Sequence, residues 1–330
     1  MGAMRRIYKF ISSMQTGLSL LFMIGVASAA GASLLPGTFF KAPLFRLLLL
    51  LLLLNMIFCT VNRLQSTYRI LLKRPSRVWL RQTGTLLLHL GIILVLLGGA
   101  MYAVRGQDSR IQLFAGDRLD ISQVLDIKHP FTVRLNKFRI DFNKDGSPSQ
   151  YISEVSVLEH GRKIKDVPIS VNNPLHHAGV KVYQGSFGYS IKAKYTDKSG
   201  ARQTGRFMAG DLLEPANTNR VVKIYRYIPH FNPVYGIDSV TMRPDNPHII
   251  FSVYEGDKLL GIGAAKFGEP ACIDEDVYLV FSGVEPYTIL QVKSDPGLPL
   301  AMVGGMVLML GICLAIPAAP VKRNLVVNDL

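Results

Sequence analysis

The chain has 330 residues, 49% of them hydrophobic, three cysteines and a formal net charge of +14. Residues 105–297 hold 24 Lys/Arg against 22 Asp/Glu, whereas the remainder holds 13 against the single acid Asp329. The basic excess therefore flanks the apolar runs, which is the signature of membrane topology and excludes a phosphate-binding surface, and with it a nucleic-acid partner. Cys59, Cys272 and Cys313 form no CxxC pair, which argues against a disulfide framework or thiol-exchange chemistry.

In chain order, the first apolar run predicts a membrane helix over residues 16–35. Its basic lead (Arg5, Arg6, Lys9) and its "ASAAGA" stretch resemble a signal peptide with a cleavage site, but its length and the spanning hairpin that follows favour retention. The second run, over 44–61, is the shortest, with Arg46 snorkelling to the interface. The third covers 83–104 and the fourth 298–316. A bilayer core takes about 20 apolar residues in a helix, so each run can span. The intervening stretch 62–82 reads as a basic loop carrying Arg63, Arg69, Lys73, Arg74, Arg77 and Arg81 without an acid, and is expected in the cytoplasm. With the N-terminal cations and the tail cations Lys322 and Arg323, this orients both termini inward and residues 105–297 outward from the cytoplasmic membrane.

The segment 105–297 reads as β throughout. "YSIKAKY" alternates apolar and charged residues with the period of a half-buried strand. In "FTVRLNKFRIDF", Val133 and Leu135 share one parity and Phe138, Ile140 and Phe142 the other, as at a bulge. Hairpins are expected around His160-Gly161 and Gly256-Asp257, "NKDGSPS" is expected as a turn, and "DVYLVFSG" and "YTILQVK" as two later strands. The expected fold is a membrane protein: four transmembrane α-helices, three N-terminal (1–104) and one C-terminal (298–330), with a large extracytoplasmic all-β domain (105–297), a sandwich or an open barrel-like sheet.

No HExxH, GxSxG, P-loop or GxGxxG motif is present, so no catalytic residue is assigned. "GGMVLMLG" in the last run reads as small-residue helix packing. The pair His176-His177 would face opposite sides of a strand, and His129, His160, His230 and His248 neighbour Pro or Gly in expected turns. The acids Asp274–Asp276 read as a solvated loop ahead of a cation site. His89 differs, being the only histidine in an apolar run, at a depth where ionisable groups are rare and usually functional. Two readings stand. It is a neutral imidazole bonded to a neighbouring helix, with Asn55 as the partner, or it is an axial ligand to haem iron. As a bis-histidine site, the second reading would need its other ligand from another protein.

The stretch "PISVNNPLHHAGVKVYQGSFG", residues 168–188, resembles the signature of the ResB (CcsB) family of system II cytochrome c biogenesis, at Val171, Asn173, Pro174, Leu175, Gly179, Tyr183, Gln184 and Gly188. "SMQTGLSLLFMIGVASAAGASLLPG" and "NMIFCTVNRL" are similar to the same family. The resemblance implies a tryptophan-rich membrane partner of the ResC/CcsA type; this chain has one tryptophan, Trp79. It implies that the two together move haem b outward and present it to apocytochrome c, the ligation itself resting with the partner. It also maps the inner haem site of the family onto His89 as an axial iron ligand. Many members have a larger outer domain than the segment 105–297 of this chain. Asn173, Pro174, Gly179, Tyr183, Gln184 and Gly188 read either as turn and packing residues or as a partner contact. The alternative function is a membrane-anchored assembly scaffold or sensor whose β domain binds a protein and no haem.

Overall fold

The computed structural model describes residues 2–34, 39–71, 77–196, 201–215, 218–275 and 277–316. Leu35, Lys73, Arg74, Asp276, Lys322 and Arg323 lie outside them. The chain divides into two compact units, Met1–Gly106 with Asp295–Leu330, and Gln107–Ser294.

The first unit holds α1 (Gly2–Ile11), α2 (Met14–Leu34), α3 (Pro43–Leu71), α4 (Arg77–Arg105) and α5 (Leu298–Ala315). Four segments, Met14–Leu34, Pro43–Gln65, Trp79–Arg105 and Leu298–Ala315, are long and apolar enough to cross a membrane. Helix α1 is a separate element, in a stretch whose sequence pattern shows only cations. It breaks at Ser12-Ser13, where Ser13 Oγ accepts from the Thr16 amide at 3.1 Å and caps α2. Tyr8 docks it on α3, donating to Asn62 Oδ1 at 2.7 Å with its ring edge-on to Phe58. The stretch 62–82, expected as a loop, continues α3 to Leu71 and opens α4 at Arg77. Arg63, Arg69, Arg77 and Arg81 belong to helix ends, where a backbone already hydrogen-bonded to itself needs no apolar face to stay helical.

Helices α4 and α5 pack through glycine. Gly84, Gly91 and Gly98 recur every seventh residue on α4 and face Gly311, Gly304 and Gly297 in antiparallel order. A Cβ on Gly91 would fall 2.6 Å from the Leu308 backbone nitrogen, and one on Gly304 would fall 2.8 Å from that of Val95. Backbones this close exchange dispersion and Cα–H···O contacts, which hold helices together where lipid removes the hydrophobic drive.

The second unit contains β1 (Gln107–Phe114), β2 (Arg118–Asp120), β3 (Thr132–Phe142), β4 (Pro148–Glu159), β5 (Arg162–Ser170), β6 (Leu175–His177), β7 (Val180–Thr196), β8 (Arg202–Phe207), β9 (Leu212–Leu213), β10 (Arg220–Ile228), β11 (His248–Glu255), β12 (Lys258–Lys266), β13 (Pro270–Asp274) and β14 (Val277–Ser294). They form a six-stranded sheet in the order β1-β14-β7-β6, with β13 beside β14 and β8 beside β7, and two four-stranded sheets, β2-β3-β4-β5 and β12-β11-β10-β9. The expected hairpins are present: His160 and Gly161 take φ of 49° and 77° between β4 and β5, and Gly256 turns β11 into β12 at 56°. The β3–β4 register shifts between Leu135 and Lys137, the slip that the apolar parity required. "DVYLVFSG" and "YTILQVK", expected as separate strands, are one: β14 runs unbroken through its Ser-Gly step with a register shift between Phe281 and Gly283.

A single sandwich is not what forms. The long strands β7 and β14 serve two cores. One gathers Val180 and Val182 with Leu290 and Val292, against Val133, Leu135, Val155 and Val157. The other gathers Ile191 and Ala193 with Leu279 and Phe281, against Val222, Ile224 and Ile249. Along β7 the buried positions change from even to odd, and along β14 from odd to even. An extra residue on each strand, Gly185 on β7 and Ser282 on β14, absorbs the change and keeps the apolar set on one face.

Filling the glycine seam is expected to destabilise the membrane unit. Gly91→Leu or Gly304→Leu should cost at least the 1–3 kcal/mol typical of overpacking, roughly, and lower the thermal unfolding midpoint in detergent. Gly99→Leu and Gly305→Leu, where an added Cβ meets nothing within 4 Å, should leave it near wild type. Equal midpoints for all four variants would refute the seam.

Candidate functional site

A polar stripe at helical spacing runs down α3 through Asn55, Cys59, Asn62 and Arg63, and a second runs down α4 through Gln82, Thr85 and His89. The two face a cavity of about 720 Å³, closed on a third side by Gly17, Leu18 and Leu21 of α2. From His89, Gln82 and Thr85 lie toward the α3–α4 hairpin tip, as do Asn62 and Arg63 on α3; Leu52 and Met56 lie away from it. The cavity thus carries Asn62, Arg63, Gln82 and Thr85 at the tip end, and Met56, Leu52 and the backbone-bonded Asn55 away from it, with His89 between.

Most of its polar groups are engaged by the fold. Asn55, 2% exposed, donates through Nδ2 to the carbonyls of Ile11 and Ser13, and a Cβ on Gly17 would fall 2.6 Å from its Oδ1. Cys59 Sγ donates to Ser12 O at 3.2 Å, and Thr85 Oγ1 returns to Arg81 O at 2.8 Å. This overturns the pairing of Asn55 with His89: the amide holds the α1–α2 corner onto α3. His89 Nδ1 is buried with no hydrogen-bond partner among the described residues. A buried ring nitrogen left so costs about 1–3 kcal/mol, a penalty that a ligand or partner group can remove. None of the five helices contains Asp or Glu, so cations alone set the potential at the polar end.

Arg63, Gln82 and Thr85 were not singled out from sequence as site residues. Asn55, Cys59 and Asn62 precede Arg63 at helical spacing, a signal hidden by the loop expected over 62–82, where an arginine has a topological meaning.

The 168–188 block is a double turn. Ser170 and Asn173 exchange backbone hydrogen bonds at 3.2 and 3.0 Å, Pro174 leads into β6, and Ala178 and Gly179, with φ of 48° and 77°, turn β6 into β7. Gln184 completes a buried polar knot. Its Oε1 accepts from Ser153 Oγ at 2.7 Å and its Nε2 donates to Thr288 Oγ1 at 3.0 Å, so β4, β7 and β14 are tied at the Gly185 bulge. A Cβ on Gly188 would fall 2.3 Å from the Tyr287 hydroxyl, which explains the glycine. Tyr183 is half-buried on β7, opposite Gln291. His177 meets Glu159 at 2.8 Å and lies edge-on to Phe131, while His176 is exposed, so the adjacent histidines do face apart. Asp274 accepts from Thr218 Oγ1 at 3.1 Å. Among the described residues no group of His, Cys, Asp and Glu could hold a metal ion.

A second cavity, of about 430 Å³, opens at the waist between the two cores of the β unit, lined by Phe138, Tyr189, Tyr227, Phe267 and Pro286 among others. Tyr189 and Tyr227 meet at 4.6 Å and Tyr227 stacks on Phe267 at 6.1 Å. Burial raises both phenols, Tyr227 from 10.0 to about 12.

Four membrane-length helices and a β-rich unit define the class, a multi-pass membrane protein with one large inserted domain. The ResB-like family matches residues 76–282, and the chain belongs to that family. It is 28% identical over 256 residues to the cytochrome c biogenesis protein CcsB of Gloeobacter violaceus, covering 71% of this chain and 50% of that one. It is 25% identical over 237 residues to the cytochrome c biogenesis protein Ccs1 of Porphyra purpurea, covering 67% and 49%. The chain thus spans about half the length of the curated relatives it matches. A solved structure of the cytochrome c haem lyase CcmF aligns over 92% of this chain and 35% of its own, at 13% identity and a TM-score of 0.33, too low to carry an argument.

Gln184→Ala should strip Ser153 and Thr288 of their shared partner and cost about 1–3 kcal/mol in thermal unfolding of the full chain. An unchanged midpoint would return Gln184 to a partner-contact role. The Tyr227 phenol contributes stability in full below pH 10 and loses it as pH rises through about 12, because burial favours its neutral form. Tyrosinate absorbance of the folded protein should therefore carry a late component that Tyr227→Phe removes; a titration with every tyrosine near the ordinary value would contradict this burial.

Proposed function

We propose that the chain is a membrane subunit in cytochrome c biogenesis that carries haem as cargo, giving one axial ligand from His89 while a tryptophan-rich partner of the ResC/CcsA type gives the other. Family membership supports the cytochrome c role, and both quoted relatives carry that role in their names. The observation that carries the haem reading is His89: a ring nitrogen buried without a hydrogen-bond partner among the described residues, in a cavity whose size lies within the range of about 300–1,000 Å³ that takes cofactor-sized ligands. Haem in such a site supplies an iron whose axial positions accept an imidazole nitrogen. The walls from Leu18, Leu21 and Leu52 suit the apolar body of a macrocycle. A ligating imidazole usually holds its second nitrogen in a hydrogen bond, and we assign that bond to a group of the partner.

The positive-inside rule sets the direction of transfer. The hairpin tip joining α3 and α4, rich in arginine and lysine and free of acids, is the cytoplasmic end, and the β unit faces the other side of the inner membrane. His89 then lies in the cytoplasmic half of α4, where haem enters. The β unit serves as the outer scaffold near apocytochrome c.

The test is a visible spectrum of the complex purified in detergent with its tryptophan-rich partner, at equal protein. His89→Ala should lose most of the Soret absorbance and regain it with added imidazole. An unchanged spectrum would remove His89 from the haem site and leave this chain a scaffold beside a partner that holds the haem by itself.

A further inference from the structure

The cavity beside His89 has a direction that a symmetric apolar ligand would not need. On α4, Thr85 precedes His89 by one helical turn, about 6 Å along the axis, and Gln82 by nearly two. On α3, Arg63 ends the polar stripe within the span Pro43–Gln65, half-buried and lining the same cavity. A planar amphiphile with an apolar body and anionic groups on one edge fits that gradient. We propose that Arg63 receives the propionate carboxylates of the haem whose iron His89 binds, with the Gln82 amide beside it, so that the macrocycle enters with its carboxylates toward the α3–α4 hairpin tip. The inference rests on the haem reading above and adds the orientation of the cargo.

Guanidinium is suited to the task. Its planar fork donates two parallel hydrogen bonds to a carboxylate and remains charged at any accessible pH. The helices bring no acid of their own to this end of the cavity, so its field selects for an anion. The same chemistry fits the phosphate of an anionic phospholipid, and the test must separate the two.

The complex with the tryptophan-rich partner is titrated with haem and with haem dimethyl ester, whose carboxylates are masked, and retention is read from the Soret band. Wild type should hold haem about tenfold or more tighter than the ester, the advantage of charge-assisted hydrogen bonds. Arg63→Gln should lower haem to the level of the ester and leave the ester unchanged, with the Soret position kept because His89 is intact. Arg63→Lys should keep part of the discrimination. Equal wild-type affinities, or an Arg63→Gln variant that weakens both pigments alike, would overturn the proposal and make Arg63 structural. Loss of co-purified anionic phospholipid in Arg63→Gln, with the haem-to-ester ratio unchanged, would also overturn it, giving the arginine to a headgroup. If wild type binds neither pigment, the haem reading itself fails and this inference with it.

Discussion

The close approach of α4 to α5 fixes the rest of the membrane unit. Three glycines on each side let the backbones meet where any side chain would collide, and a seam of that kind has one rotational setting. At about 100° per residue, His89 stands well over a quarter-turn from both Gly84 and Gly91, on the far side of α4 from the seam. The seam therefore decides which way the imidazole faces. With α4 held by α5 along one flank, its Gln82-Thr85-His89 flank is presented to α2 and α3. The same chain order that pairs α4 with α5 pairs β1 with β14, since Gln107–Ser294 is an insertion whose first and last strands are neighbours.

Polar residues inside a membrane segment need partners, and this bundle distributes them in two ways. Asn55, Cys59 and Asn62 are spent on holding the α1–α2 corner against α3. His89 is not spent, and it sits between Asn62, Arg63, Gln82 and Thr85 at the tip end of the cavity and Leu52 and Met56 away from it. His89, whose Nδ1 is buried without a hydrogen-bond partner among the described residues, thus lines the cavity where a ligand fits.

Local chemistry was legible and long-range chemistry was not. The left-handed residues at His160-Gly161 and Gly256 announce hairpins because few other sequences turn there, and the parity change around Asn136 announces a bulge. "DVYLVFSG" and "YTILQVK" read as two strands, yet β14 runs through the Ser282-Gly283 step because β7 offers a matching partner along its length. The double core depends on that pairing and has no local signature. The knot at Gln184 unites residues from Ser153 to Thr288, so its buried role cannot be read from the block that contains it. His89 stood out because nothing around it is polar in sequence. Arg63 did not, because the basic residues near it carry a topological meaning that masked its place on the cavity wall.

The most direct test labels the ligand atom. The complex would be assembled with heavy-isotope histidine nitrogen in this chain only and an unlabelled partner, and the low-spin ferric haem examined by electron–nuclear double resonance. If His89 ligates the iron, a coupling from the labelled nitrogen appears in wild type and vanishes in His89→Ala. A haem coupled only to unlabelled nitrogen would place both axial ligands on the partner and contradict the site proposed for this chain.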